Sequence, residues 1–228
     1  MYHAIRDAEA EGIVDRYDLC VYPASFAAQM RFLHEAGYTT LTMHQVANIL
    51  AGYDECPVQP VALTFDDGTR DFCEVAYPIL RSVGFVATVF VPTATIGDAK
   101  HMTAEQLREL AAQRIEIGSH SRDHRALSHL PKGQQEPQVR GSRLTLEAIT
   151  GEPVISFSYP GGYHNEATLE LLRLYGYRTA VTTVRGTEQN PEEPYLLCRV
   201  RVRSTHDLAK FARNIGAPPP TAAFPPHP

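Results

Sequence analysis

Apolar residues along this chain alternate between two periods. Phe26, Met30 and Leu33 recur at helical spacing after a candidate cap at Ser25, with Gly37 placed to end the helix. The β-branched run 38–42 predicts a strand, and Thr42 caps a second helix through Leu50. The alternation continues with strand 61–65, helix 71–83 kinked or broken at Pro78, strand 85–91, a helix from a Thr103 cap to Gln113, and strand 115–119. A polar Pro/Gly/Gln loop at 131–137 leads into a helix ending near Thr150. Strand 154–159, helix 166–175 and strands 178–184 and 197–202 complete the series. Such a βα alternation, about 30 residues per unit, predicts an α/β fold. No repeat of the sequence itself accompanies it.

The run 61–65, Val-Ala-Leu-Thr-Phe, is too short for a helix and ends abruptly in Asp66-Asp67-Gly68. Alone, Asp-Asp-Gly is an ordinary turn. A second feature changes that reading. Strand 115–119 runs into His120-Ser-Arg-Asp-His124, two imidazoles that share one face if the segment is helical or tightly turned. Two His and one Asp are a common hydrolytic ligand set for zinc or a similar ion and leave positions open for water. The spare carboxylate is then available as a base. Asp66-Asp67, His120 and Pro160-Gly161 each follow the C-terminal end of a different predicted strand, and in a parallel barrel that is the face where active sites gather.

Thr64-Phe65-Asp66-Asp67-Gly68 and His120-Ser121-x-x-His124 resemble the first two motifs of the polysaccharide deacetylase family, metal-dependent carbohydrate esterases, and the likeness extends over roughly residues 1–211. The resemblance implies a distorted (β/α) barrel of about seven mostly parallel strands, with the active site at their C-terminal ends. It assigns Asp67, His120 and His124 to one divalent metal ion, zinc with cobalt or nickel as alternatives, and Asp66 to the general base. The segment Phe157-Ser-Tyr-Pro-Gly-Gly162 stands at the third motif, usually Arg-Pro-Pro followed by Tyr or Phe and Gly. It departs from that pattern: Ser158 stands where the Arg would be and Gly161 where the aromatic would be. The Gly161 amide can still stabilise an oxyanion.

The later family motifs are missing. Asp207 is the only Asp after Gly161, and His206 lacks a Leu three residues before it. The opening Tyr2-His3-Ala4-Ile5 and the stretch 26–38 are similar to the circularly permuted poly-β-1,6-N-acetylglucosamine (intercellular adhesin) deacetylases, as is Tyr159-Pro160. This implies that His3 replaces the missing late His as general acid, and that the substrate is the N-acetylglucosamine polymer of biofilm. The alternatives are chitin, peptidoglycan or acetyl-xylan, or a catalytically weak sugar-binding relative. With no Trp in the chain, sugar stacking falls to Tyr159 and Tyr163. His34, His44, His101 and His129 have no acid at ligand spacing and read as ordinary surface or core residues, with His164 intermediate.

Composition narrows the picture further. A chain of 228 residues, 43% of them apolar, supports one domain over 1–216, followed by a tail 217–228 that holds six prolines and should be extended. A net charge of −5 with no Lys/Arg block argues against a nucleic-acid partner. No apolar run approaches the length of a membrane span. Cys20, Cys56, Cys73 and Cys198 lack C-x-x-C spacing and read as buried free thiols. Neither a basic region nor an apolar core segment follows Met1, which leaves either a cytoplasmic protein or one whose export segment lies outside this sequence, and the resemblance implies the second, with an extracellular or cell-surface location. A monomer is expected.

Overall fold

The computed structural model describes residues 1–15 and 18–220. The chain opens with β1 (Ala4–Ile5), which pairs in parallel with β2 (Cys20–Val21). Helix α1 (Pro23–Glu35) follows, then β3 (Thr39–Leu41) and α2 (Met43–Leu50). The expected strand 61–65 divides in two. β4 (Pro60–Ala62) pairs with β3, and after Leu63 the chain crosses into β5 (Thr64–Phe65) of the main sheet. That sheet continues through β6 (Thr88–Val91), β7 (Glu116–Ser119), β8 (Ser156–Ser158) and β9 (Thr179–Val181), all parallel and in sequence order.

Two further segments carry the curl around. Tyr2 bridges Phe65 in parallel, with Tyr2 N donating to Thr64 O and Asp66 N to Tyr2 O. On the opposite edge Leu197 bridges Val181. The chain beyond Leu197 returns to the start, since the Met1 amine donates to Val200 O at 2.8 Å and Val202 N to Met1 O at 3.0 Å. The expected strand 197–202 is therefore present as an irregular rung and not as a full ladder. Seven backbone segments thus form a distorted ring, as the resemblance implied.

Helices cover the outside. Capping boxes start α2 (Thr42 with Gln45) and α4 (Ala104–Ala112, Thr103 with Gln106), as the sequence predicts. Helix α1 begins earlier than expected, with Pro23 in its first turn and Ser25 buried inside it. The segment 71–83 is a π-helical stretch, Phe72–Ala76, joined to α3 (Tyr77–Ser82), and Pro78 falls in the first turn of α3, where its missing N–H is not needed. The expected loop 131–137 is instead the start of α5 (Lys132–Thr150), with Pro137 inside it. Gln135 and Gln138 are buried in it and bonded: Gln135 donates to Leu130 O, and Gln138 accepts from the amides of Arg122 and Asp123. Helices α6 (Glu166–Leu174) and α7 (Leu208–Asn214) complete the shell.

Met43, Phe90, Val181 and Leu197 form a small apolar cluster separate from the main core. Helix α2 packs against it from the N-terminal ends of the strands, because Met43 N donates to Thr88 Oγ1 and His44 N to Glu116 Oε2, the first residues of β6 and β7. All four cysteines are free, but Cys56 is exposed and the other three are half-buried, contrary to the expected burial. Ala217, expected to start the tail, packs into the core, and residues 221–228 lie outside the described residues. No helix among the described residues is long and apolar enough to cross a membrane.

Gly118 of β7 makes room for this interior. A Cβ there would lie 2.6 Å from the Phe90 ring and 2.7 Å from Ser156 Oγ. Gly118→Ala should therefore lower folding stability by roughly 1–3 kcal/mol through overpacking, measured by denaturant unfolding. An unchanged midpoint would show that Phe90 yields freely.

Candidate active site

The Asp66-Asp67 pair leaves β5 at its C-terminal end, and Asp67 is held at φ 73°, a left-handed conformation unusual for a residue with a side chain. His120 follows β7. The stretch to His124 is not a helix but a tight turn with Ser121 at φ 63° and His124 at φ 55°, locked by His124 N donating to Ser121 Oγ. Three of the six non-glycine residues with positive φ among those described thus belong to this site, where stored backbone strain is commonly found. The turn brings the two imidazoles together, ring centres 4.7 Å apart.

Asp67 Oδ1 lies 3.4 Å from His120 Nε2 and 3.2 Å from His124 Nε2. One ligand atom from each of the three residues falls within 4.8 Å of the others. The residues fit a cation on their own chemistry. His120 Nδ1 lies 2.7 Å from Ser158 O, which can only accept, so the proton sits on Nδ1 and the Nε2 lone pair of a neutral ring faces the carboxylate. Asp67 Oδ1 is buried with no hydrogen-bond partner. Burial would lower the His120 imidazole, yet the Asp67 and Asp66 carboxylates outweigh it and raise the group above its ordinary value, so a positive charge is favoured there. Burial likewise pushes the Asp67 carboxyl up, and the two imidazoles facing it hold it well below the usual carboxylate range.

Asp66 is the most enclosed acid of the cluster, 4% exposed. Its partner is Arg199 from the closing segment. Nη1 donates to Oδ1 and Nη2 to Oδ2, both at 2.8 Å, and Ser158 Oγ donates to Oδ2 at 3.2 Å. Burial alone would push the Asp66 carboxyl up, but the guanidinium holds it well below the usual range. Asp66, the expected base, therefore has an arginine partner, delivered from the closing segment and not from the third motif. The signal was available: in strand 197–202, Arg199 shares a face with Leu197, so an inward-facing Leu197 implies an inward cation in need of an acid.

His3 lies next to the bridge between Tyr2 and Phe65. Its Nδ1 is buried and unpartnered, and the charges of Asp66 and Asp67 act on it. Burial lowers the imidazole from its ordinary value, Arg199 and Arg201 add to this, and the two aspartates oppose it. His206 does not join the cluster. It is buried against α7, with Nδ1 3.4 Å from Asn214 Nδ2.

After β8 the turn Pro160–Gly162 is closed by Gly162 N to Tyr159 O and Tyr163 N to Pro160 O, neither of which uses the Gly161 amide. Gly161 sits at φ 63°, and a Cβ there would lie 2.8 Å from the Tyr163 ring, so glycine is required both for the turn and for that ring. Tyr163 is half-exposed and tilts against His129 at 5.0 Å. The expected stacking role of Tyr159 does not hold. Its ring is fully buried, stacks on His164 and donates through its hydroxyl to Tyr195 O, which makes both rings structural. His44 lies at the far end of the barrel, His34 packs near Phe85, and His101 pairs with Asp98.

The polysaccharide deacetylase family model matches residues 54–180, more than half of the chain. YxkH of Bacillus subtilis, a protein named for polysaccharide deacetylase, is 36% identical over 89% of this chain and 70% of its own length. The chain therefore belongs to the polysaccharide deacetylase family, hydrolases that cleave amide bonds. The Streptococcus pyogenes deacetylase PplD, solved in complex with acetate, superposes with a TM-score of 0.87 at 27% identity over 94% of this chain and 96% of that one. The poly-β-1,6-N-acetyl-D-glucosamine N-deacetylase of Escherichia coli is 23% identical over 94% of this chain, which spans 38% of that protein.

Arg199→Gln would leave Asp66 buried without its cation, so stability at pH 7 should fall by about 3–5 kcal/mol. In the unaltered protein the depressed Asp66 adds stability above the ordinary carboxyl value of about 3.9 and loses it as pH falls. In the variant the unpaired carboxyl favours its proton, so the deficit should narrow from pH 7 towards pH 4. A deficit that does not change with pH would assign Arg199 a packing role alone.

Proposed function

We propose that this chain removes acetyl groups from N-acetylglucosamine residues of an extracellular polysaccharide, preferring poly-β-1,6-N-acetylglucosamine, the polymer of biofilm. The observation that carries the reading is the cluster of Asp67, His120 and His124 beside a carboxylate that Arg199 keeps ionised. Those three residues would hold one divalent ion, zinc first, which when bound supplies Lewis acidity and activates water. Asp66 accepts the proton of the attacking water, and its two Arg199 bonds fix the carboxylate so that it reorganises little as it does so. The Gly161 amide donates to the oxygen of the acetyl group as charge develops there. His3 protonates the departing amine, which is a poor leaving group without a proton. Tyr163, flanked by Gly161 and His129, offers an aromatic face to a pyranose ring. The acetate bound by the Streptococcus pyogenes relative accords with acetyl release.

The linkage preference is supported by the N-terminal origin of His3 and by the likeness to the Escherichia coli enzyme. Acetate release from β-1,6-linked N-acetylglucosamine oligomers should exceed that from β-1,4-linked oligomers and acetyl-xylan. A strong preference for either of the latter would overturn the linkage.

The metal reading predicts about one divalent ion per chain by elemental analysis. His120→Ala or His124→Ala should lose both the ion and the activity. Full activity in metal-free His124→Ala would remove the site.

For His3, replacement by Ala should lower kcat on the acetamide by roughly 100-fold or more with metal content unchanged, and the alkaline limb of the pH profile should disappear. Because burial lowers this imidazole, the limb should lie at or below the ordinary histidine value of about 6.5. An activated acetyl ester, which needs no proton on its leaving group, should be much less affected.

A further inference from the structure

We propose that Asp71 is a positioning residue that sets His3 against the metal-ligand cluster, an inference that rests on the reading of His3 as general acid. Asp71 directly precedes the π-helical segment with helical backbone angles, φ −61° and ψ −18°, and its side chain makes no capping bond. Both oxygens are instead turned to the N-terminal segment. Oδ2 accepts from the Ile5 amide and Oδ1 accepts from Arg6 Nη2 at 2.6 Å. The carboxylate is 7% exposed and Arg6 is mostly buried over it. A buried carboxylate spent on a two-residue strand needs an explanation other than helix capping.

The explanation lies in what the bonds enclose. On one side of His3, Tyr2 is fixed by its amide to Thr64 O and by Asp66 N to Tyr2 O. On the other, Ile5 and Arg6 are fixed by Asp71. The stretch from Thr64 to Asp71 therefore grips the N-terminal segment on both sides of His3, while carrying the proposed base Asp66 and the cluster residue Asp67 between the two grips. Among the described residues β1 otherwise pairs with β2, which belongs to neither the main sheet nor the cluster, and Ile5 packs in the core with Phe72; no other hydrogen bond found there joins its C-terminal end to that stretch. The His3 ring has no partner of its own on Nδ1, so its placement depends on its backbone. Without Asp71, the segment keeps its Tyr2 rung and its pairing with β2 but loses, on the far side of His3, its hydrogen-bonded tie to the stretch that carries Asp66 and Asp67. An imidazole displaced by an ångström is a much weaker proton donor to a fixed leaving group.

Asp71→Asn keeps size and one acceptor but points an amide NH2 at a donor. It should lower kcat on the acetamide roughly 10-fold or more. Metal content should be unchanged and turnover of an activated acetyl ester should be within about two-fold of the unaltered enzyme. In a His3→Ala background, Asp71→Asn should cause no further loss on the acetamide, because a residue that acts through His3 has nothing left to position. Arg6→Gln, which removes one donor and keeps the Ile5 bond, should show the same selectivity at smaller size, and it serves if Asp71→Asn does not fold. Equal loss on both substrates, loss of metal, or full additivity with His3→Ala would overturn the clamp. If His3→Ala itself lowers both substrates alike, the general-acid reading fails, and the clamp then stands or falls on the non-additivity alone.

Discussion

The paired Asp66 and Arg199 join the two ends of the barrel. The carboxylate leaves the first strand of the main sheet, and the guanidinium comes from the segment that closes the ring after the last. Two 2.8 Å bonds between buried groups allow only one relative placement of those segments, and Ser158 from a third strand bonds both partners. Buried ion pairs are poor evidence of net stability, since desolvation offsets much of their attraction. What this pair supplies is a single register for closure and a carboxylate that stays ionised inside a barrel. Both suit the role of general base proposed for Asp66.

From that pair the rest of the site follows. Ser158, whose hydroxyl meets Asp66, uses its carbonyl to set the His120 tautomer, so the proposed base and the candidate ligand cluster share one support on β8. His3 is placed by the same stretch that carries Asp66 and Asp67. The proposed acceptor, ligand set and donor are thus carried by the N-terminal segment, β5 and β7, and strain at Asp67, Ser121 and His124 is tolerated because neighbouring strands hold each turn in place.

Much of this was legible in the sequence because its signals are local. The capping boxes at Thr42 and Thr103, the glycine at position 37 and the strand ends at Phe65 and Ser119 all depend on neighbours a few residues away. The failures are of the opposite kind. The run 61–65 reads as one strand because its composition is uniform, and only pairing with β3 and β6 divides it. The glutamines of α5 read as loop because their partners, in the 120s loop and at Leu130, lie outside the periodic pattern. Tyr159 reads as a sugar platform because it adjoins the glycine turn, but its ring points inward on β8's continuation. Arg199 was missed because motif order ties the base's arginine to the third motif, whereas the fold admits any strand that reaches Asp66.

The claim on which this account rests is that Asp67, His120 and His124 together hold one catalytic metal ion. X-ray absorption at the metal edge of the zinc- or cobalt-loaded protein tests it most directly. The account predicts only nitrogen and oxygen neighbours at about 2.0–2.2 Å, with the multiple scattering of two imidazoles. A sulfur shell near about 2.3 Å, or a spectrum without imidazole, would contradict it.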